Sequence, residues 1–187
     1  EGQLAAVQEL LGDIPASQLA RALVLECLYG ADIHPISVDL AELACSLLTP
    51  LRPVRLNLAV GDSLLGIRSL EQIEWMCCTP KEAREQLHLG VPVVPRSWIA
   101  SAPIEHLRLL ADLTVGARLV QTNSRRVRRQ RHLRAAELAH AVMAGQIAEA
   151  ENQAAQWLRH EITGLQHQPL HWPLIFPEVL ALPRKAA

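Results

Sequence analysis

Residues 124–134 read Ser124-Arg125-Arg126-Val127-Arg128-Arg129-Gln130-Arg131-His132-Leu133-Arg134. Asn123 or Ser124 can cap a helix here, and neither glycine nor proline interrupts the chain until Gly145. The pattern predicts one long helix reaching Met143. Six of its first ten positions are arginine. At about 100° per residue, these arginines spread around most of the helix. Val127 and Leu133 fall about 120° apart and make no apolar stripe between them. So many like charges repel, and the helix costs free energy unless anions meet it. Phosphate meets it well, because a guanidinium stays charged and grips phosphate bidentately. Arg in place of Lys also suits base edges, where Arg pairs with guanine. Such a helix fits a DNA major groove, or an RNA hairpin widened by distortion. The competing readings are a solvated face, a helix neutralised by the acidic part of its own chain, and a helix that meets an acidic protein.

The charge changes sign on either side of this stretch. Residues 1–117 hold 8 basic and 14 acidic side chains, net −6. Residues 118–134 hold 7 arginines and no acid, net +7. Residues 135–187 hold 3 basic and 5 acidic side chains, net −2. The total of −1 over 187 residues therefore hides a single concentrated positive segment. The chain divides by composition into an acidic, mostly helical domain (1–117), an Arg-rich helical hairpin (118–162) and a Pro-rich apolar tail (163–187). Half the residues are apolar, which excludes a disordered tail and permits a real core. Leu and Ala dominate that half, and aromatic residues make up only 3% of the chain. This favours packed helices over a β-sandwich. The expected fold class is mainly α, with the Arg-rich helix in a helix-turn-helix or helical hairpin and room for a few short strands.

Helical spacing and breakers predict helices over Leu4–Leu11, Ser17–Leu28, Val38–Leu48 (capped by Ser37) and Leu70–Met76. Gly30 closes the second of these, and Asp32–Pro35 reads as a turn. Leu51–Val60 alternates loosely and permits a strand. Thr79-Pro80 opens a helix that runs to Leu87. Val91–Ile99, with two prolines, reads as extended or irregular. Pro103 opens a helix over Ile104–Leu113, and Gln146–Ile162 is helical again. The tail is expected along the surface or docked on a neighbour, and its apolar stretch "HWPLIFPEV" (His171–Val179) fits either a core edge or a partner groove.

A helix, the small pair Gly116-Ala117, a short turn and the Arg-rich helix give the outline of a helix-turn-helix. Gly116-Ala117 would let two helices approach closely. The stretch "LTVGARL" (Leu113–Leu119), followed by "SRRVRR" (Ser124–Arg129), resembles the DNA-binding segment of the C subunit of the bacterial flagellar master regulator. Upstream, "SLEQIEWMCCT" (Ser69–Thr79) is similar to a helix near the end of that regulator's D subunit. The C subunit's cysteine cluster is not present here. The resemblance implies a DNA-binding transcriptional regulator that works as an oligomer. Its contacts would be Arg118, Ser124, Arg125, Arg126, Arg128, Arg129, Arg131, His132 and Arg134.

A second resemblance runs through "PASQL", "ADIHPISVDL", "PVRLNLAV", "REQLHLGVPVVP" and "RLVQTNSRRVRRQRHLR" in order. This series is similar to the repeat-processing endoribonuclease of type I-F and type IV CRISPR systems. It implies a ferredoxin-like core and an Arg-rich helix that grips an RNA stem. Cys27, Leu28 and Tyr29 stand where that family carries its catalytic histidine, so the resemblance implies an RNA-binding subunit for crRNA hairpin binding or processing, with no residue here to support the cleavage step.

Other chemistries find little support. No Gly-rich phosphate loop is present, and no tight carboxylate pair serves acid–base work. His167 and His171 are four apart, but Pro169 between them disfavours a shared helical face, so no metal or cofactor is expected. Arg134 and His140 match the Arg-x5-His spacing of HEPN-type ribonucleases, a short pattern that also suits a surface pair. Trp75, Trp98, Trp157 and Trp172 read as core or docking anchors. The four cysteines form no CxxC pair, which points to a reducing cytoplasm. No run approaches the roughly 18 apolar residues of a membrane helix, and no signal peptide is visible. The chain does not begin with Met, which predicts a processed or trimmed product. The expected partners are nucleic acid, either DNA or structured RNA, and a protein partner or second copy.

Overall fold

The computed structural model describes residues 16–48, 56–77, 79–120, 122, 124–160 and 163–180. The helix expected over Leu4–Leu11 lies outside them. The fold is mainly α, with one pair of short strands among the described residues. The chain forms two compact units, Glu1–Val60 and Gly61–Ala187.

In the first unit, α1 (Ala16–Ala22) continues into a π-helical turn at Leu23–Cys27. Strand β1 (Tyr29–Asp32), helix α2 (Pro35–Leu48) and strand β2 (Asn57–Val60) follow. The two strands pair in parallel, from Tyr29 opposite Asn57 to Asp32 opposite Val60. Parallel neighbours need a crossover, and α2 supplies it. The Asn57 side chain donates to the Leu25 carbonyl at 2.7 Å and ties β2 to the π-helical turn. Strand β1 replaces the expected helix end and turn. Its partner lies 28 positions away, beyond the reach of local periodicity. Helix α2 opens at Pro35, two residues before the expected Ser37 cap, because proline is preset for a first helical turn. Val38 is buried, while Ile36, Leu40, Leu43 and Leu47 stay exposed at alternating spacings of four and three.

The second unit begins with short helices: α3 (Glu71–Trp75), α4 (Pro80–Gln86) and α5 (Arg96–Ser101). Thr79 caps α4 as its sequence predicts, accepting the Glu82 amide at 3.1 Å. Helix α5 begins within the stretch read as irregular and runs two residues past it. Pro95 stands at its N-cap instead of breaking it. Glu74, buried on α3, accepts from the exposed Arg96 at 2.8 Å. The Glu74 carbonyl takes both the Val93 and Val94 amides.

Three helices form the main core: α6 (Ile104–Gly116), α7 (Arg125–Met143) and α8 (Ala148–Trp157). Leu110, Leu113, Leu138 and Val142 are fully buried there, beside Ile67, Ile73 and Met76. Helices α7 and α8 form a hairpin. Gly145 sits in the left-handed region at φ 84°. The Gly145 amide donates to the Val142 carbonyl, and the Gln146 amide reaches back to Ala141. This pair of bonds is the Schellman arrangement that stops a helix at glycine. Gly116 allows the close approach its sequence predicts, since a Cβ there would lie 2.8 Å from the Trp157 Cβ. The helix it admits is α8.

The segment 163–180 takes the core-edge place that its apolar stretch allows, and does not lie along the surface. Leu170, His171, Leu174 and Phe176 are buried, and two short helices follow, α9 (Trp172–Ile175) and α10 (Pro177–Leu180). The Asp62 amide donates to Gln168, and the Leu170 amide donates to Asp62. These bonds stitch the segment to the start of the unit, and its apolar residues complete the core. One core runs from Ile67 to Leu174 and draws on residues on both sides of position 117.

Candidate nucleic-acid interface

Ser124 ends the loop after α6 and starts α7. Its hydroxyl accepts the Val127 amide at 3.4 Å, and its own amide donates to the Thr122 hydroxyl. Ser124 therefore acts as the helix cap. Its side chain sets where the arginines begin.

Helix α7 has two unlike halves. From Ala135 onward it buries Ala135, Ala136, Leu138, Ala139 and Val142. Before that point it is exposed or half-buried throughout. The buried half anchors the helix, and the open half projects the arginines.

The six arginines do not play one part. Arg134 pairs with Glu137 on its own helix and with Glu149 on α8. The Arg131 guanidinium lies over the Trp157 ring, 5.6 Å from its centroid. Both are half-buried and engaged within the fold. Arg125, Arg126, Arg128 and Arg129 are exposed. At about 100° per residue, these four cover a sector of about 160°, with Arg131 and Arg134 outside it. The spread around most of the helix expected from sequence thus divides into one open sector and two internal contacts.

Arg118, in the turn after α6, joins the open group. With Arg125, Arg126, Arg128, Arg129 and His132 it lines a cleft of about 860 Å³. None of the five arginines has a carboxylate within ion-pair distance among the described residues. The opposite wall carries Glu82 and Glu85 of α4, with Cys77 and Leu87 nearby. The sequence reading missed this wall. Its one local signal is the spacing of three, which places both carboxylates on one helical face. Glu85 also pairs with Lys81 at 3.8 Å.

His132 is the half-buried member of the cleft. Its Nδ1 is buried without a hydrogen-bond partner among the described residues. Burial pushes its pKa below the usual histidine value. The Met76 backbone pulls the other way, Arg118 adds to the depression, and Glu82 opposes it. The ring is thus held toward its neutral form, so the arginines supply the positive charge of this face.

No protein-family model matches the chain, no curated protein matches it, and no solved structure matches it. The functional reading therefore rests on the chain's own geometry.

The remaining sequence candidates find other roles. His171 is buried and accepts the Ile67 amide at Nδ1, so its Nε2 carries the proton and donates to Asp112 at 2.9 Å. It serves the docking of its segment. His167 instead lies against His160, with 5.5 Å between ring centroids. Among the described residues, no three His, Cys, Asp or Glu side chains gather as a metal site. Arg134, half of the Arg-x5-His pattern, is occupied by its two glutamates. Trp157 is a core anchor, and Trp75 carries Arg84 over its ring at 5.1 Å. No helix among the described residues is long and apolar enough to cross a membrane.

Proposed function

We propose that this chain binds nucleic acid, and specifically that it is a DNA-binding transcriptional regulator with α7 as its recognition helix. The observation that carries the reading is the sorting of the arginines. Five guanidiniums with no carboxylate within ion-pair distance among the described residues line one cleft of a chain whose total charge is −1. In a helix-turn-helix, the first residues of the second helix reach the base edges. Here the open arginines occupy the first half of α7, and the second half is fixed in the core. Arg118 extends the positive surface across the preceding turn.

The concavity of the arginine face favours a second reading, the RNA-binding subunit implied by the CRISPR resemblance. A bulged hairpin can enter a cleft that a smooth duplex only spans.

The reading includes a protein partner or a second copy of the chain. The exposed row of Ile36, Leu40, Leu43 and Leu47 on α2 supports this, since exposed apolar patches mark interaction surfaces. It also places the protein in a reducing cytoplasm, consistent with the absence of a disulfide among the described cysteines.

Fluorescence anisotropy of the full chain with duplex DNA and with hairpin RNA tests the proposal. Replacing Arg128 and Arg129 together by Ala is expected to weaken binding by tenfold or more. Unchanged affinity for both ligands would sink the nucleic-acid reading and leave an acidic protein as the partner to test.

A further inference from the structure

The two walls of the cleft have opposite character. Arg125, Arg128 and Arg129 come from α7, while Glu82 and Glu85 come from α4. Phosphates suit only the first of these walls, because carboxylates facing phosphates repel them. A ligand that satisfies both walls carries an anion at one end and hydrogen-bond donors at the other. A nucleotide with an unpaired base has this chemistry. Its phosphate suits guanidinium, and the amino group of its base donates well to a carboxylate, as cytosine N4 does. The cleft volume, about 860 Å³, lies within the range of small-molecule pockets, roughly 300–1,000 Å³. The buried Leu87 reaches the cleft lining, and His132 keeps a buried ring nitrogen without a partner among the described residues on the same cleft.

We infer that the cleft is a pocket for one unpaired nucleotide bearing an amino-substituted base, with its phosphate on the α7 arginines and its base N–H groups on Glu82 or Glu85. The inference rests on the nucleic-acid reading and narrows it. The nucleotide comes either from a single-stranded or extruded segment or from the free pool.

The test compares two single strands that differ chiefly at the base amino group, hexadeoxycytidylate and hexadeoxyuridylate. Their affinities for the full chain are read by anisotropy beside that of a duplex. The cytosine strand is expected to bind at least tenfold tighter than the uracil strand. In the double variant Glu82→Gln, Glu85→Gln this ratio is expected to fall toward one, while uracil-strand affinity holds or rises. Equal affinities in the wild type overturn the pocket, and so does a ratio untouched by the double variant. Duplex binding that persists beside equal strand affinities leaves the α7 reading standing while the pocket falls. Cytosine preference without duplex binding supports the pocket and removes the duplex reading. Displacement of the labelled strand by dCTP assigns the pocket to a free nucleotide. Failure of dCTP to displace it at millimolar concentration assigns the pocket to a strand.

Discussion

The guanidinium of Arg131 lies over the ring of Trp157, 5.6 Å from its centroid, and Trp157 is buried. One arginine of the basic run is therefore part of the α7–α8 hairpin. Cation–π contacts of this kind are worth about 0.5–1 kcal/mol when partly exposed. Arg131→Ala is expected to lower stability by about that amount, with little change in nucleic-acid affinity. Arg128→Ala is expected to do the reverse. Urea unfolding and anisotropy on both variants separate the two roles. A larger affinity loss for Arg131→Ala than for Arg128→Ala would contradict the division of α7.

The second expectation concerns salt. Neutralising Z phosphates of duplex DNA makes log affinity fall against log salt with a slope of about −0.9Z. Five arginines line the cleft, so the slope is expected to approach about −4.5. Each Arg→Ala change within the group should make it shallower by about one. Arg134→Ala should leave it unaltered, because Glu137 and Glu149 already hold that side chain. Titrations across a range of potassium chloride concentrations measure this. A slope near zero would rule out phosphate contacts by this face.

The third lies in the docking of the segment around Leu170. A Cβ on Gly66 would overlap the Leu170 carbonyl oxygen, while a Cβ on Gly90 would meet nothing within 4 Å. Backbone cannot yield as a flexible side chain does. Gly66→Ala is expected to cost at least the ~1–3 kcal/mol typical of overpacking. Gly90→Ala is expected to be neutral or to stabilise by up to about 1 kcal/mol, through a less flexible unfolded chain. Thermal melts of the two variants provide the check, and equal melting temperatures would show that the segment does not dock against Gly66.

These contrasts show what the sequence made legible. Features fixed by neighbours a few positions away could be read directly. Thr79 and Ser124 cap their helices because each hydroxyl meets an amide three residues on. Gly116 announced a close approach through its missing side chain, though not that Trp157 would fill the gap. Features fixed by remote partners could not be read. Strand β1 exists because Asn57–Val60 lies beside it. His171 owes its burial to Asp112 and to the Ile67 amide, far away in sequence. The interface followed the same rule. The arginine run was plain in the sequence. The contacts of Arg131 with Trp157 and of Arg134 with Glu137 and Glu149, and the carboxylates that share the cleft with the rest, depend on how α4, α7 and α8 pack.

The last expectation is a pH dependence centred on His132. Its folded pKa is lowered, chiefly by burial, below the ordinary histidine value near 6.5. The unfolded chain therefore binds the proton more readily than the folded one. The stability contributed by the neutral ring is complete above the unfolded value. It is lost as pH falls from about 6.5 toward the lower folded pKa. Below the folded pKa both states are protonated and the loss levels off. Replacing His132 by Phe keeps a ring in the site and removes the titration. Melting temperatures of the wild type are expected to drop between pH 7.5 and pH 5.5 more steeply than those of His132→Phe. Parallel curves for the two proteins would show that His132 titrates in the fold as it does in the unfolded chain, and would remove it from the account of the cleft.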